Sequence, residues 1–263
     1  MNWLEDQIIK SKLGESGKGF QMNNDPFVLC KFRPINKWLV ESLVNRSIYF
    51  AKPDTLNDPF DCHIDLWGAL KRAELSATGD RKVFFSMILS ESKFFENWKS
   101  ILDRYGLCAF SRENTHTLLW SHYADEHRGV CLKYQFRPSY FLTEEFLFAV
   151  AGDVDYIDEP LTDWLKNSPT EINQFVEGLV HKYFKTKSRV WKYEKESRII
   201  RRQHGVFSFN INEPFLNQVC FGLRTPQADI DLVTNLAQRY TGCTIFSQMV
   251  RDETEFGFTE NLL

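Results

Sequence analysis

Residues 27–51 read FVLCKFRPINKWLVESLVNRSIYFA, and this stretch decides the fold class. Phe27 to Arg33 are apolar, aromatic or β-branched enough for a strand, which Pro34 stops. Pro34 then opens a helix in which Trp38, Leu39, Ser42, Leu43 and Arg46 recur at steps of three and four, the spacing of one helix face. Residues 48–51 return to a strand. Outward from this unit, strands are expected over 107–111, 129–136, 154–157, 198–201, 206–209 and 218–223, with 244–249 as the last. Helices are expected over 1–13, 115–123 and 228–240. Residues 64–105 read as a helical insertion, with Trp67, Leu70, Phe84, Phe85, Phe94, Phe95, Trp98 and Leu102 as its apolar side. Residues 160–186 form a second helical segment. No regular βαβ alternation joins these pieces, so the class is α+β: one domain over 1–263 with a mixed or antiparallel sheet.

Composition removes several function classes. The chain has 263 residues, with 32 Lys and Arg against 35 Asp and Glu and a net charge of −3, so a nucleic acid partner is not indicated. The six cysteines contain no CxxC pair, which argues against a zinc knuckle or a thioredoxin-type site. No apolar run is long enough to span a membrane. A reducing cytoplasm is therefore the expected location, with the thiols buried. GxGxxG, GxxxxGK[ST] and GxSxG are all missing, which takes most of the weight from Rossmann redox, P-loop and α/β-hydrolase chemistry. The composition stands out in its 23 Phe, which build a core or line a pocket.

Three segments concentrate reactive side chains. The densest is Trp120-Ser121-His122-Tyr123-Ala124-Asp125-Glu126-His127-Arg128-Gly129. Its spacing fits no zinc motif, so no metal is assigned. Packing of Trp120 and Tyr123 with a hydrogen-bonded His122 is the plain structural alternative. Asn57-Asp58-Pro59-Phe60-Asp61 carries two acids that suit a cation or a ribose hydroxyl, and equally suit Asx-turns. In Trp191-Lys192-Tyr193-Glu194-Lys195-Glu196-Ser197-Arg198, a strand would put Glu194, Glu196 and Arg198 on one face. That pattern serves an ion pair or a catalytic carboxylate held by Arg.

Taken in order, these segments resemble the bacterial family catalogued as domain of unknown function 2971. Cys30-Lys31-Phe32-Arg33 stands for its first strand, residues 56–61 for its Phe-Asn-Asp-Pro-Phe-Asp loop, residues 120–131 for its Trp-Ser-His-Tyr-Ala segment, and residues 191–198 for its Trp-x-Tyr-Glu-x-Glu-x-Arg strand. Leu56 and Cys30 replace aromatics, and Ser197 replaces a large residue. The family brings no established activity. By analogy its layout is also similar to the split sheet of ADP-ribosyltransferases. That resemblance implies an enzyme acting on NAD as substrate, with no tightly bound cofactor, as a bacterial toxin or phage-defence effector. Arg33 would then hold the dinucleotide, and Tyr49 or Phe50 would stack on it. Glu196 would be the catalytic carboxylate, with Glu194 orienting the acceptor, and His122, Tyr123 and His127 would finish the pocket.

Two rivals stand beside this reading. One is a nuclease or other hydrolase using Asp58 and Asp61 with His122 or His127 as general acid/base. The other is a non-catalytic sensor that binds a small nucleotide or a protein partner, an antitoxin or sensor subunit, through Trp120, Tyr123 and the Phe-rich face. Phe32, Tyr49, Phe50, Trp120 and Tyr123 are the aromatics expected to touch a ligand.

Overall fold

The opening stretch folds as its periodicity requires. Phe27–Arg33 is strand β1 and Lys37–Val44 is helix α1. The Asn36 side-chain oxygen caps α1 by accepting from the amides of Trp38 and Leu39 at 3.0 and 3.2 Å. Ser47–Phe50 follows as β2. The computed structural model describes residues 25–141, 146, 152–159, 161–209, 216–254 and 256–263. The helix expected over 1–13 lies outside the described residues.

The segment 64–105 holds α2 (Leu66–Ser76), α3 (Gly79–Ser90) and α4 (Ser92–Leu102). Then come β3 (Gly106–Ser111), α5 (Thr117–Tyr123) and β4 (Val130–Phe136). Two short strands, β5 (Gly152–Asp153) and β6 (Asp155–Tyr156), precede α6 (Thr162–Asn167) and α7 (Ile172–Lys185). The chain continues through β7 (Thr186–Lys187), β8 (Glu196–Arg201), β9 (Gly205–Ser208) and β10 (Leu216–Phe221). Helix α8 (Gln227–Leu236) leads to β11 (Ile245–Arg251) and β12 (Phe258–Leu262). The strand expected at 244–249 is therefore not the last. Strand β12 was missed because its Thr, Glu and Asn residues give it no strong apolar alternation.

Eight strands form one sheet in the order β12-β11-β10-β4-β1-β3-β8-β5, and two-stranded sheets join β2 to β9 and β6 to β7. Within the large sheet β10 and β11 run parallel, joined through α8, while the other pairings are antiparallel, so the sheet is mixed and the class is α+β.

Register sorts the side chains into two faces. Cys30 lies opposite Ser111 and Lys133, Phe32 opposite Cys131, and Ser111 opposite Glu196. These residues share one face by pleat alternation. Leu29, Phe110, Leu132, Phe136 and Ile199 occupy the other face, packed with Phe50, Phe146, Phe209 and the inner sides of α1 and α8. A separate core of Phe84, Phe85, Phe94, Trp98, Phe175 and Phe184 sits under the helical segments. Most of the Phe excess is thus packing, each buried side chain contributing roughly 1.5–3 kcal/mol.

Between α5 and β4 the chain makes a tight left-handed turn, with φ of 47°, 52° and 73° at Asp125, Glu126 and His127. The turn is tied down by bonds from His127 N to Trp120 O at 3.2 Å and from Arg224 N to His127 O at 2.9 Å. Gly129 and Gly222 make this approach feasible: a Cβ on Gly129 would stand 2.2 Å from Arg33 O, and one on Gly222 would stand 2.2 Å from His127 O. Both obstacles are backbone. Gly129→Ala or Gly222→Ala is expected to cost about 1–3 kcal/mol, read as a lower urea midpoint with an unchanged slope.

Candidate functional site

Turn chemistry at 57–61 gives its two acids different tasks. Asp58 Oδ1 accepts from the Phe60 amide at 2.9 Å, an Asx-turn, and Oδ2 accepts from the Trp191 indole N–H at 2.6 Å. Asp58 is therefore a fastener between the loop and residues 189–194. Asp61 turns inward. Its Oδ2 accepts from Arg198 Nη2 at 2.5 Å and lies 3.8 Å from Lys187 Nζ, while its Oδ1 is buried with no hydrogen-bond partner.

Glu194 does not lie on a strand. It ends the 3-10 turn Arg189–Glu194, and Lys195, at φ 43°, redirects the chain into β8. The two glutamates converge all the same, because Lys187 on β7 bridges them: Nζ donates to Glu194 Oε2 at 2.6 Å and to Glu196 Oε2 at 2.7 Å. Glu196 Oε1 accepts from Arg198 Nε at 2.5 Å, and Arg198 Nη1 closes the C-terminus of α7 by donating to Phe184 O at 2.9 Å. The Tyr123 hydroxyl donates to Glu194 Oε1 at 2.6 Å and accepts from Asn57 Nδ2 at 3.2 Å. Lys187 Nζ also stands 5.0 Å from the Trp191 ring centroid.

These groups form one end of a cleft of about 100 Å³. Cys30, Phe32, Leu56 and Leu119 supply apolar walls, Lys31, Asp61, Lys187, Glu194 and Glu196 supply charged ones, and Asn57 and Tyr123 also line it. That space holds several waters or a one-ring group, and is smaller than the several hundred Å³ of a typical whole-ligand pocket. In this cluster three carboxylates, Asp61, Glu194 and Glu196, meet two cations, Lys187 and Arg198, which leaves one formal negative charge in excess.

Burial alone would push the Glu196 carboxyl up, but Arg198 and Lys187 overcome it and hold it at about 2. Glu194 moves the other way: burial raises it, and its bonds to Lys187 and Tyr123 offset this only in part. Burial and the bond to Glu194 push the Tyr123 phenol up. The Glu196 shift carries a sign for stability. A depressed carboxyl stabilises the folded state above its unfolded value of 4.5 and loses that contribution as pH falls toward about 2. Between pH 6 and pH 2 the protein is expected to lose on the order of 3 kcal/mol through this group, measured by urea unfolding at several pH values.

Arg33 and Glu196 do not meet. Strand parity puts Arg33 on the face opposite Cys30 and Phe32, beside Lys31, Cys108 and Tyr134, whose ionisation it influences. Lys31 shares that side: its Nζ donates to Ala109 O at 2.6 Å and lies 5.7 Å from the Phe110 centroid. Phe50 is fully buried against Phe146 and Phe207 and cannot stack on a ligand. Tyr49 is exposed on the separate β2–β9 ladder and does not line the cleft. Trp120 is a core anchor: its indole N–H donates to Asn114 O at 2.6 Å, and its ring meets Phe32 edge-on at 5.1 Å.

His122 is exposed, with its ring 6.2 Å from that of Tyr123, and does not line the cleft. His127 belongs to the left-handed turn, its ring 5.4 Å from Phe258, and burial and then Arg224 lower its pKa. The proposed grouping of Asp58 and Asp61 with His122 and His127 is therefore not assembled. Among the described residues no group of three or more His, Cys, Asp or Glu is placed to hold a metal ion, and no helix is long and apolar enough to cross a membrane. Lys187 is the member of this charged cluster that sequence reasoning missed. Nothing near it in the sequence marked it, since Lys192, Lys195 and Arg198 already stand beside the two glutamates.

Residues 119–199 match the model of a family described as a protein of unknown function, DUF2971. No curated protein and no solved structure matches the chain. The matched segment contains Tyr123, Lys187, Glu194, Glu196 and Arg198, which is the charged cluster apart from Asp61. The part of the chain that is similar to this family is thus the segment that supplies most of the charged groups of the cleft.

Proposed function

We propose that the cleft is a catalytic site that breaks a glycosidic bond, with NAD as substrate and an ADP-ribosyltransferase or NAD glycohydrolase outcome. The observation that carries this reading is the pair Glu194 and Glu196, bridged by one ammonium through bonds of 2.6 and 2.7 Å. The bridge keeps their oxygens within about 5 Å of each other, close enough to act on one bond. Their environments push the two carboxyls in opposite directions, the pattern that separates a fixed charge from a proton carrier.

In this scheme the bond between ribose C1′ and the nicotinamide nitrogen breaks, and its electron pair leaves with nicotinamide. The ribosyl group becomes cationic, and the ionised Glu196, with the excess negative charge of the cluster, stabilises it. A water or acceptor hydroxyl adds to C1′ and gives its proton to Glu194. Arg33, Tyr49, Phe50 and His127 have no part in it, and the dinucleotide beyond the ribose lies outside the small cleft. The test is direct: mix the protein with NAD and cell extract and measure free nicotinamide. Release supports the reading, and no release above a Glu194→Gln control sinks it.

One observation favours a second reading. Both oxygens of Glu196 are already paired, so the cluster is equally built to lock residues 56–62 onto β8 in a non-catalytic sensor. Nucleotide binding without any turnover would select it.

A further inference from the structure

Helices α2, α3 and α6 enclose a second cavity, of about 310 Å³ against about 100 Å³ for the cleft, and no residue lines both. Its size falls in the ordinary range for a whole small ligand. The charge of its wall has one sign: Arg72, Arg81 and Lys166 line it, and no carboxylate does. Among the described residues these three cations differ in what already holds them. Lys166 Nζ donates to Asp163 Oδ1 at 2.8 Å, which offsets its charge. Arg72 has one distant acid, Asp65, 3.9 Å from its Nη1. Arg81 meets no acid: its Nη1 donates to Leu165 O at 3.2 Å and to Lys166 O at 2.5 Å, near the end of α6, and its Nε and Nη2 are uncommitted. Those two bonds hold the Arg81 guanidinium in place before any ligand arrives, which lowers the cost of binding one.

Two guanidiniums with charge to offer match a doubly charged anion, and the guanidinium fork suits paired phosphate oxygens. A phosphate monoester carries roughly −1.5 to −2 at neutral pH. Thr78, whose hydroxyl caps no amide of α3, adds a further donor to the wall. Ala73, Phe85 and Leu165 make the rest of it apolar enough for a flat or short hydrocarbon carrier. We propose that this cavity is a second ligand site, separate from the cleft, which binds a phosphate monoester on a small apolar carrier with Arg72 and Arg81 taking its charge. The inference does not depend on the chemistry proposed for the cleft.

The experiment is calorimetric titration of the full chain at neutral pH and low salt with phenyl phosphate, inorganic phosphate, benzoate and phenol, which separate the charge from the carrier. Phenyl phosphate is expected to bind one to one and about ten-fold or more tighter than inorganic phosphate or benzoate, with phenol not binding. Arg72→Gln, at an exposed position, is expected to weaken binding about ten-fold, and Ser76→Trp, exposed and lining the cavity, to abolish it by filling the space. Arg81→Gln is expected to weaken binding at least as much as Arg72→Gln; if it loses its circular dichroism because α3 and α6 come apart, the wild-type titrations, Arg72→Gln and Ser76→Trp decide the matter. Glu194→Gln, in the other cleft, is expected to bind as the wild type does. No binding of phenyl phosphate, equal binding of inorganic phosphate, benzoate or phenol, or binding that either Arg72→Gln or Ser76→Trp leaves unchanged overturns the inference. Loss of binding in Glu194→Gln overturns it too, since the ligand would then sit in the cleft.

Discussion

Arg198→Met is expected to lower the unfolding free energy by about 3–5 kcal/mol, the largest stability loss of any single change in the cluster. Arg198 is fully buried and joins three segments: its own strand β8 through Glu196, residues 57–62 through Asp61 and a 3.5 Å contact to Cys62 Sγ, and the end of α7 through Phe184 O. Methionine keeps much of the volume and removes the charge. Asp61 and Glu196 would then remain buried, with Lys187 as their only cation in the cluster, and desolvating the surplus carboxylate sets the cost. Urea unfolding of the single variant measures the effect. The triple variant Arg198→Met, Asp61→Asn, Glu196→Gln is expected to recover much of the loss, since the penalty lies in unpaired charge and not in lost packing. A loss below about 1 kcal/mol in the single variant would mean that water reaches the cluster and screens it.

The amino-acid sequence made the elements legible and left the site half hidden, for reasons that particular residues explain. Periodicity located β1, α1, β4 and α7, because Trp38, Leu43, Phe175 and Phe184 recur at spacings that only one secondary structure satisfies. It also marked Glu194, Glu196, Arg198, Asp61 and Tyr123, which the fold does bring together. Arg33 was misplaced because strand parity is all or nothing: a one-residue choice of face separates it from Glu196 by the thickness of the sheet. Tyr49 and Phe50 were placed with the site on strand order alone, yet β2 pairs with β9 and not with the large sheet. His122 and His127 drew attention by residue type, while the left-handed turn at 125–127 that positions His127 depends on Gly222, about a hundred positions along the chain. Lys187 was invisible for the converse reason. A lone Lys between Thr186 and Ser188 reads as a solvated loop, and only the pairing of β7 with β6 and the bonds to Glu194 and Glu196 reveal it as an inward residue.

Glu194→Gln is expected to reduce nicotinamide release about 10²–10⁴-fold, the usual range for removing a general base, while leaving the fold intact. Burial raises the Glu194 carboxyl, so its charge is held at a cost that the neutral amide does not bear. The amide oxygen can still accept from Lys187 or Tyr123, so stability at neutral pH is expected to be unchanged or slightly higher. That separates this variant from Glu196→Gln, which gives up a carboxylate that Arg198 and Lys187 stabilise and is expected to lose stability and turnover together. The pH profile gives an independent readout. A base acts only when ionised, so the wild-type rate is expected to rise with pH through the raised Glu194 value, above the ordinary glutamate value of 4.5, and Glu194→Gln to show no such limb. If the variant keeps both the rate and the limb, the proton goes elsewhere, and Glu194 serves only to hold Lys187 and Tyr123 at the cleft.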